Sequence, residues 1–292
     1  KKIITKPVGM FELFYDLVFV YTISKITAMI HHPVNGIIPV VTLLQFLLVV
    51  IVVMQVWRIR VYTSIAIVKI VFFDIVGLLF NMFVAVYLAN NINTDWSITF
   101  RYFNLAMVAI LINLIMQYWL GTLKDEKNDI CSNTTIELVL ALIGLIIGYP
   151  NGIYVVIAGY IFGFLLQYFY IKIFNAKKVN FPHLVERVSL IIIIAFGEAI
   201  VNLANYFNNK TPIIYAILLF ASFCMMFTSY VIFSDKIINH HQVTKGFILM
   251  YSHIALVIAI LMTTVATLYL NLKEINIRFL AWFIIVSMLY II

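Results

Sequence analysis

Glu12 and Asp16 stand four residues apart inside FELFYDLVFVYTISKI, Phe11 to Ile26, a run otherwise made almost wholly of Phe, Leu, Val, Tyr and Ile. On a helix that spacing stacks the two carboxylates on one face, with Asp16 about 6 Å deeper along the axis. A carboxylate among apolar side chains either pairs with a cation and fixes packing, or faces a polar cavity and handles a proton or cation. A second set lies in HLVERVSLIIIIAFGEAIVNLAN, from His183: Glu186 and Arg187 near its start, then Glu198, with Asn202 one turn further and Asn205 close by. One carboxylate and two amides on a stripe can hold a cation, pass a proton, or hydrogen-bond neighbouring helices. Asp74 and Asn81, seven residues apart, share a face in a third apolar run, and His253 is the one histidine well inside a predicted helix. The imidazole suits proton transfer by its ordinary pKa, and also serves as a packing group.

These residues compose no catalytic motif. The chain has no phosphate-binding GxxxxGK[ST] loop, no GxSxG, no HExxH, no aspartate-rich prenyl-diphosphate motif and no paired-cysteine site. No catalytic residue is therefore assigned. Cys131 and Cys224 are too few and too far apart for a disulfide framework or a metal knuckle. His31, His32, His240 and His241 fall in connections expected on opposite sides of a membrane, so they cannot ligate one metal or haem. No metal and no cofactor is called for.

The elements that must position these groups follow from composition. With 64% hydrophobic residues, 11% charged residues and a mean hydropathy of +1.08, the chain cannot clothe a soluble domain of 292 residues in polar surface. The expected fold is all-α, a polytopic transmembrane helical bundle whose first partner is the lipid bilayer. Its net charge of +7 is scattered singly between apolar runs, which excludes a nucleic-acid stripe. Runs long enough to cross lie near 11–30, 38–57, 68–89, 98–120, 134–149, 152–171, 184–206, 212–233 and 246–270, with a tenth from Ile277. With the N-terminus in the cytoplasm, Lys1, Lys2, Lys6, Arg58, Arg60, Lys69, Lys124, Lys127, Lys172, Lys177, Lys178, Arg187, Lys236 and Lys245 fall on or near the inner side. Arg101, Lys210, Lys273 and Arg278 fall outside, and Lys25 within the membrane. The first run is not a cleavable signal, because it contains Glu12, Asp16 and Lys25 and lacks a small-residue cleavage site. The tenth reaches Ile292 without a polar flank, so the natural chain is expected to continue.

The seventh run echoes the first: an acid just after the inner boundary, then a long apolar stretch. Glu12 matches Glu186 at an offset of 174, and Trp57 falls opposite Tyr230 at nearly the same offset. Six spans precede the second copy, so the copies share an orientation, as parallel repeats do. The boundaries expected are 1–178 for a first six-helix repeat and 179–292 for a second with four helices present. Arg187 opens that second repeat and is the expected partner of Asp16, since parallel repeats bring their first helices to a shared axis. Glu186 points about 100° away from it. Gly144 with Gly148, and Gly159 with Gly163, are spaced for close helix packing. Asn113 with Gln117, and Gln45 with Gln55, are expected as interhelical hydrogen-bonding groups.

GMFELFYDLVFVYTIS from Gly9, HLVERVSLIIIIAFGEAIV from His183 and the triplet Tyr251, Ser252, His253 resemble the signature segments of the bacterial low temperature requirement A (LtrA) family. The resemblance covers most of the chain. It implies a bacterial inner-membrane protein of about twelve spans. Within it, the buried acids point to a proton- or cation-coupled transporter of a small solute, with Asp16, Glu198 and His253 in coupling and Glu12 with Arg187 in an inner charge network. An integral-membrane enzyme acting on a lipid or amphiphile, and a non-transporting stress-adaptation factor, are the alternatives. Oligomeric state carries no signal in the sequence.

Overall fold

A computed structural model describes residues 8–66, 72–121, 129–169, 179–208, 211–240, 242–270 and 276–289. They form ten α-helices and no strand: α1 (Met10–Ala28), α2 (Val40–Ala66), α3 (Phe72–Asn90), α4 (Trp96–Gly121), α5 (Asp129–Ile147), α6 (Asn151–Phe169), α7 (Phe181–Leu203), α8 (Ile213–Ile232), α9 (Phe247–Tyr269) and α10 (Ile277–Leu289). Lys1, Lys2, Lys6, Lys69, Lys124, Lys127, Lys172, Lys177, Lys178, Lys210 and Lys273, which carried much of the expected charge asymmetry, lie outside the described residues.

Hydrogen bonds between elements define the two ends of the bundle. At the near end, where α1 begins, Val179 N–H donates to the Thr244 carbonyl and the Tyr62 hydroxyl to the Lys245 carbonyl, tying the starts of α7 and α9 to the end of α2. At the far end, Asn276 N–H donates to the Gly36 carbonyl and the Tyr269 hydroxyl to the Ile30 carbonyl. α1 and α7 therefore run parallel, side by side. α9 packs on α7 and is the best covered of the long helices, while α8 lies over α7 with most of its surface open.

Among the described residues, five helices are long and apolar enough to cross a membrane: Val40–Ser64, Phe72–Asn90, Trp96–Leu120, Ile213–Ile237 and Phe247–Tyr269. α1 and α7 have the length, but they carry Glu12, Asp16 and Lys25 in one and Glu186, Arg187 and Glu198 in the other. Lys25 lies in the last turn of α1, its ammonium 5.3 Å from the centre of the Tyr21 ring.

The sequence reading placed the end of the second helix near residue 57, with Arg58 and Arg60 on the inner flank. α2 instead continues to Ala66 and both arginines are buried. Their guanidiniums find partners inside the bundle, which local hydropathy does not register. The glycines divide similarly. A Cβ on Gly144, Gly159 or Gly163 would collide with Val156, Leu140 or Glu137 respectively, so these three permit close packing. Gly148 does not. It sits at φ +77° with open space around it and supplies the left-handed turn after α5.

Candidate functional site

The seam between α1 and α7 holds three of the expected acids, Glu12, Asp16 and Glu198. Glu12 first closes the α1 N-terminus: Gly9 N–H donates to Glu12 Oε2 at 3.0 Å, and Glu12 N–H returns to the Gly9 carbonyl. One turn deeper, Asp16 meets Arg187 in a two-pronged pair, with Nε donating to Oδ2 at 2.7 Å and Nη2 to Oδ1 at 2.6 Å. Neither side chain has measurable exposure. Trp57 Nε1–H adds a third donor to Asp16 Oδ1 at 2.8 Å. Arg187 Nη1 also lies 3.6 Å from Glu12 Oε1 and 3.5 Å from Ser64 Oγ, and His183 Nε2 lies 3.6 Å from Glu12 Oε2. One guanidinium thus ties α7 to α1 and α2, and the partner expected for Asp16 is the one found. Glu186 turns to the exposed face of α7, away from this network.

A second buried arginine borders the first. Arg60 Nη1 donates to Gln117 Oε1 at 2.7 Å, lies over the Tyr15 ring, and is in electrostatic reach of Asp74 and Glu12. Gln117 Nε2 donates to the Asp74 carbonyl and Asn113 Nδ2 to the Gly77 carbonyl, so these amides lock α4 to α3. Asn81, on the Asp74 face, is buried with neither amide atom hydrogen-bonded. Of the other expected pair, Gln45 reaches the Thr94 carbonyl and Gln55 lies apart from it inside the bundle.

Glu198 occupies the far end of the same seam. Its Oε1 accepts from the Thr27 hydroxyl at 3.0 Å and from Asn202 Nδ2 at 2.8 Å. Asp16 with Arg187, and Thr27 with Glu198, are both 171 residues apart. Eleven residues make three turns on each helix, so one parallel register carries both contacts, separated by about 16 Å. Asn205 was expected beside Glu198. The α-helix ends at Leu203 and tightens into a 3-10 turn, Ala204–Tyr206, which leaves Asn205 exposed. His31, in the connection after α1, lies in electrostatic reach of Glu198. Burial holds its imidazole below the usual histidine range, outweighing the upward pull of that carboxylate.

His253 does not join either group. Nδ1 lies 2.7 Å from the Leu249 carbonyl, which assigns the N–H there and leaves Nε2 to meet the Tyr230 hydroxyl at 3.1 Å. Tyr230 also contacts Ser189 Oγ at 3.1 Å. Tyr230 and His253 line a cleft of about 570 Å³ on the α8–α9 surface, together with Phe196, Ser229 and Ser252. Neither Asp16 nor Glu198 lines it, so the three expected coupling residues do not share one space.

The sequence reading missed four participants. Trp57 enters it only for its place in the repeat, and Arg58 and Arg60 only as inner-flank charges. Arg58 Nη1 instead donates to the Tyr251 hydroxyl at 2.6 Å, and that hydroxyl to the Phe164 carbonyl at 2.5 Å. Glu137, almost wholly buried in α5, was not singled out at all. The available signal was a lone acid in an apolar run, with glycines spaced for close approach on the following helix. Among the described residues, no group of three or more His, Cys, Asp or Glu side chains is arranged to hold a metal.

The family model described as bacterial low temperature requirement A protein (LtrA) matches residues 7–291. No curated protein and no solved structure matches the chain.

Proposed function

We propose, from the premise that the chain belongs to the low temperature requirement A family, that it moves a small solute or ion across the bacterial inner membrane, its N-terminus in the cytoplasm. In this reading the Asp16–Arg187 pair is a latch at the inner end of the α1–α7 seam, and Glu198 is the proton- or cation-coupling acid at the outer end. The observation that carries it is the burial of a complete ion pair and a further carboxylate on one seam between helices of a membrane protein. An ionisable side chain at the bilayer centre costs about 2.5–3.5 kcal/mol on insertion scales, so packing alone gives little reason to retain three.

We read the chain as two parallel repeats, 1–178 and 179–292. Trp57 donates to Asp16 between α1 and α2, and Tyr230 meets Ser189 between α7 and α8, each across 41 residues. The axis relating them would run beside the α1–α7 seam, where a rocking transporter places its coupling groups.

The test is proton flux in vesicles reconstituted with the purified protein and loaded with a pH-sensitive dye. Wild type should dissipate an imposed pH gradient faster than empty vesicles, and Glu198→Gln should not. Equal rates in protein-containing and empty vesicles would end the proton-coupled reading.

The cleft at Tyr230 and His253 favours a second reading, an enzyme acting on an amphiphile. It opens between α8 and α9, on a face that would meet lipid. Hydrolysis or modification of a fluorescent phospholipid by wild type, lost in His253→Ala, would select it over transport.

A further inference from the structure

The first six helices contain an ionisable centre that the α1–α7 seam does not use. Glu137 on α5 is 1% exposed, and its Oε1 accepts from Asn133 Nδ2 at 2.9 Å. Arg58 and Gln55 approach it from α2, Tyr160 from α6 and Tyr251 from α9. Close as they are, the hydrogen bonding around this carboxylate is incomplete. Arg58 Nε and Nη2 and Asn133 Oδ1 are buried with no partner, while Gln55 is placed to hydrogen-bond the carboxylate itself. Buried polar atoms are nearly always paired, so unmatched donors and acceptors gathered about one acid describe a place that holds something small and polar, or whose charge changes.

A pocket reaches toward this centre from the far end. It is lined from α2, α4, α6 and the connection before α4, with Asn91, Asn93, Thr99, Asn104 and Tyr160 among its polar lining residues. The Tyr160 hydroxyl donates to Asn104 Oδ1 at 3.0 Å, and its lone pairs can accept a proton from the Glu137 side. Tyr160 therefore both lines the pocket and lies in electrostatic reach of the acid.

We infer that Glu137 is a proton-binding site, filled and emptied from the far-end pocket through Tyr160. Uptake converts the carboxylate to the neutral acid, and release returns the proton to pocket water by the same path. Arg58 gives the event a reach beyond α5. Two of its nitrogens are available to an ionised Glu137, while Nη1 holds Tyr251 on α9 and the guanidinium lies 5.8 Å from the Phe164 ring centre. Ionisation draws Arg58 toward α5, and protonation leaves it committed to α9. The charged and titratable groups facing Glu137 are Arg58, Tyr160 and Tyr251, and no other acid needs to titrate for this to happen.

Infrared difference spectroscopy on the full chain in lipid nanodiscs tests this apart from any transport. The carbonyl stretch of a neutral, buried carboxylic acid should appear as pH falls in wild type and persist in Asp16→Asn and Glu198→Gln. It should vanish in Glu137→Gln and return, displaced, in Glu137→Asp, which guards against loss of fold. Tyr160→Phe should keep the band but slow its hydrogen–deuterium exchange at least tenfold. A band that survives Glu137→Gln, or that never titrates while the protein stays folded, overturns the inference. Unchanged exchange in Tyr160→Phe overturns the path. A titrating band in a protein that moves no protons leaves this site standing and removes the transport reading.

Discussion

Asp16→Asn should be among the most damaging single-atom changes in the protein. It keeps the shape and an Oδ1 acceptor for Trp57, and it removes the charge that two Arg187 nitrogens contact at 2.6 and 2.7 Å. Breaking a fully buried ion pair from one side costs about 3–5 kcal/mol, because the other charge is left without compensation. Glu12 remains 3.6 Å from Arg187 and is itself 12% exposed, so it offers partial relief and places the expected loss at about 3 kcal/mol. Arg187→Met should cost about as much by the converse route. Asp16→Leu with Arg187→Met removes both charges together, leaving chiefly the Trp57 N–H unpaired at about 1 kcal/mol. The double variant should thus unfold far later than the sum of the single losses requires. Unfolding midpoints in mixed micelles of rising denaturing-detergent fraction, followed by circular dichroism, measure this directly. Single losses below about 1 kcal/mol, or a double variant as unstable as the summed singles, would refute the latch as a coupled buried pair. If the double variant is stable but dissipates no pH gradient, the pair serves function beyond cohesion.

Glu198→Gln keeps an amide oxygen for the Thr27 and Asn202 donors, so its unfolding midpoint should move by less than about 1 kcal/mol while proton flux is lost. Gly163→Ala should cost about 1–3 kcal/mol by driving a methyl into the Glu137 carboxylate. Gly148→Ala, with open space but φ +77°, should cost about 1–2 kcal/mol from backbone strain alone; equal effects on the Glu137 infrared band would contradict the difference. His31 makes stability depend on acid. Its folded-state pKa lies below the ordinary 6.5, so the unfolded chain binds the extra proton as pH falls through that value. Its contribution is whole above about 6.5 and shrinks below, and His31→Gln should flatten the wild-type fall in unfolding midpoint over that window.

Much of the bundle was legible in the chain itself. Apolar run lengths fix a membrane-helical class, and the helix boundaries, α2 apart, fall close to those runs, because lipid thickness and backbone hydrogen bonding leave little alternative. The need of Asp16 for a cation, and Arg187 as that cation, also followed from charge burial and from the likeness of the first and seventh runs. What lay beyond reach was facing. Helices that are apolar nearly all round give little sign of which side meets which neighbour, so nothing local distinguished Arg58 and Arg60 from loop charges or marked Glu137 as a centre. Asn205 slipped away because a 3-10 turn rotates the chain where the α-helical spacing was extrapolated. His253 went to its own cleft because α8, not α1, lies over it. Sequence determined that these charges must be buried and satisfied, since composition sets the solvent they live in. Only the tertiary structure decided which charge answers which, because a partner is chosen by proximity in space across helices far apart in the chain.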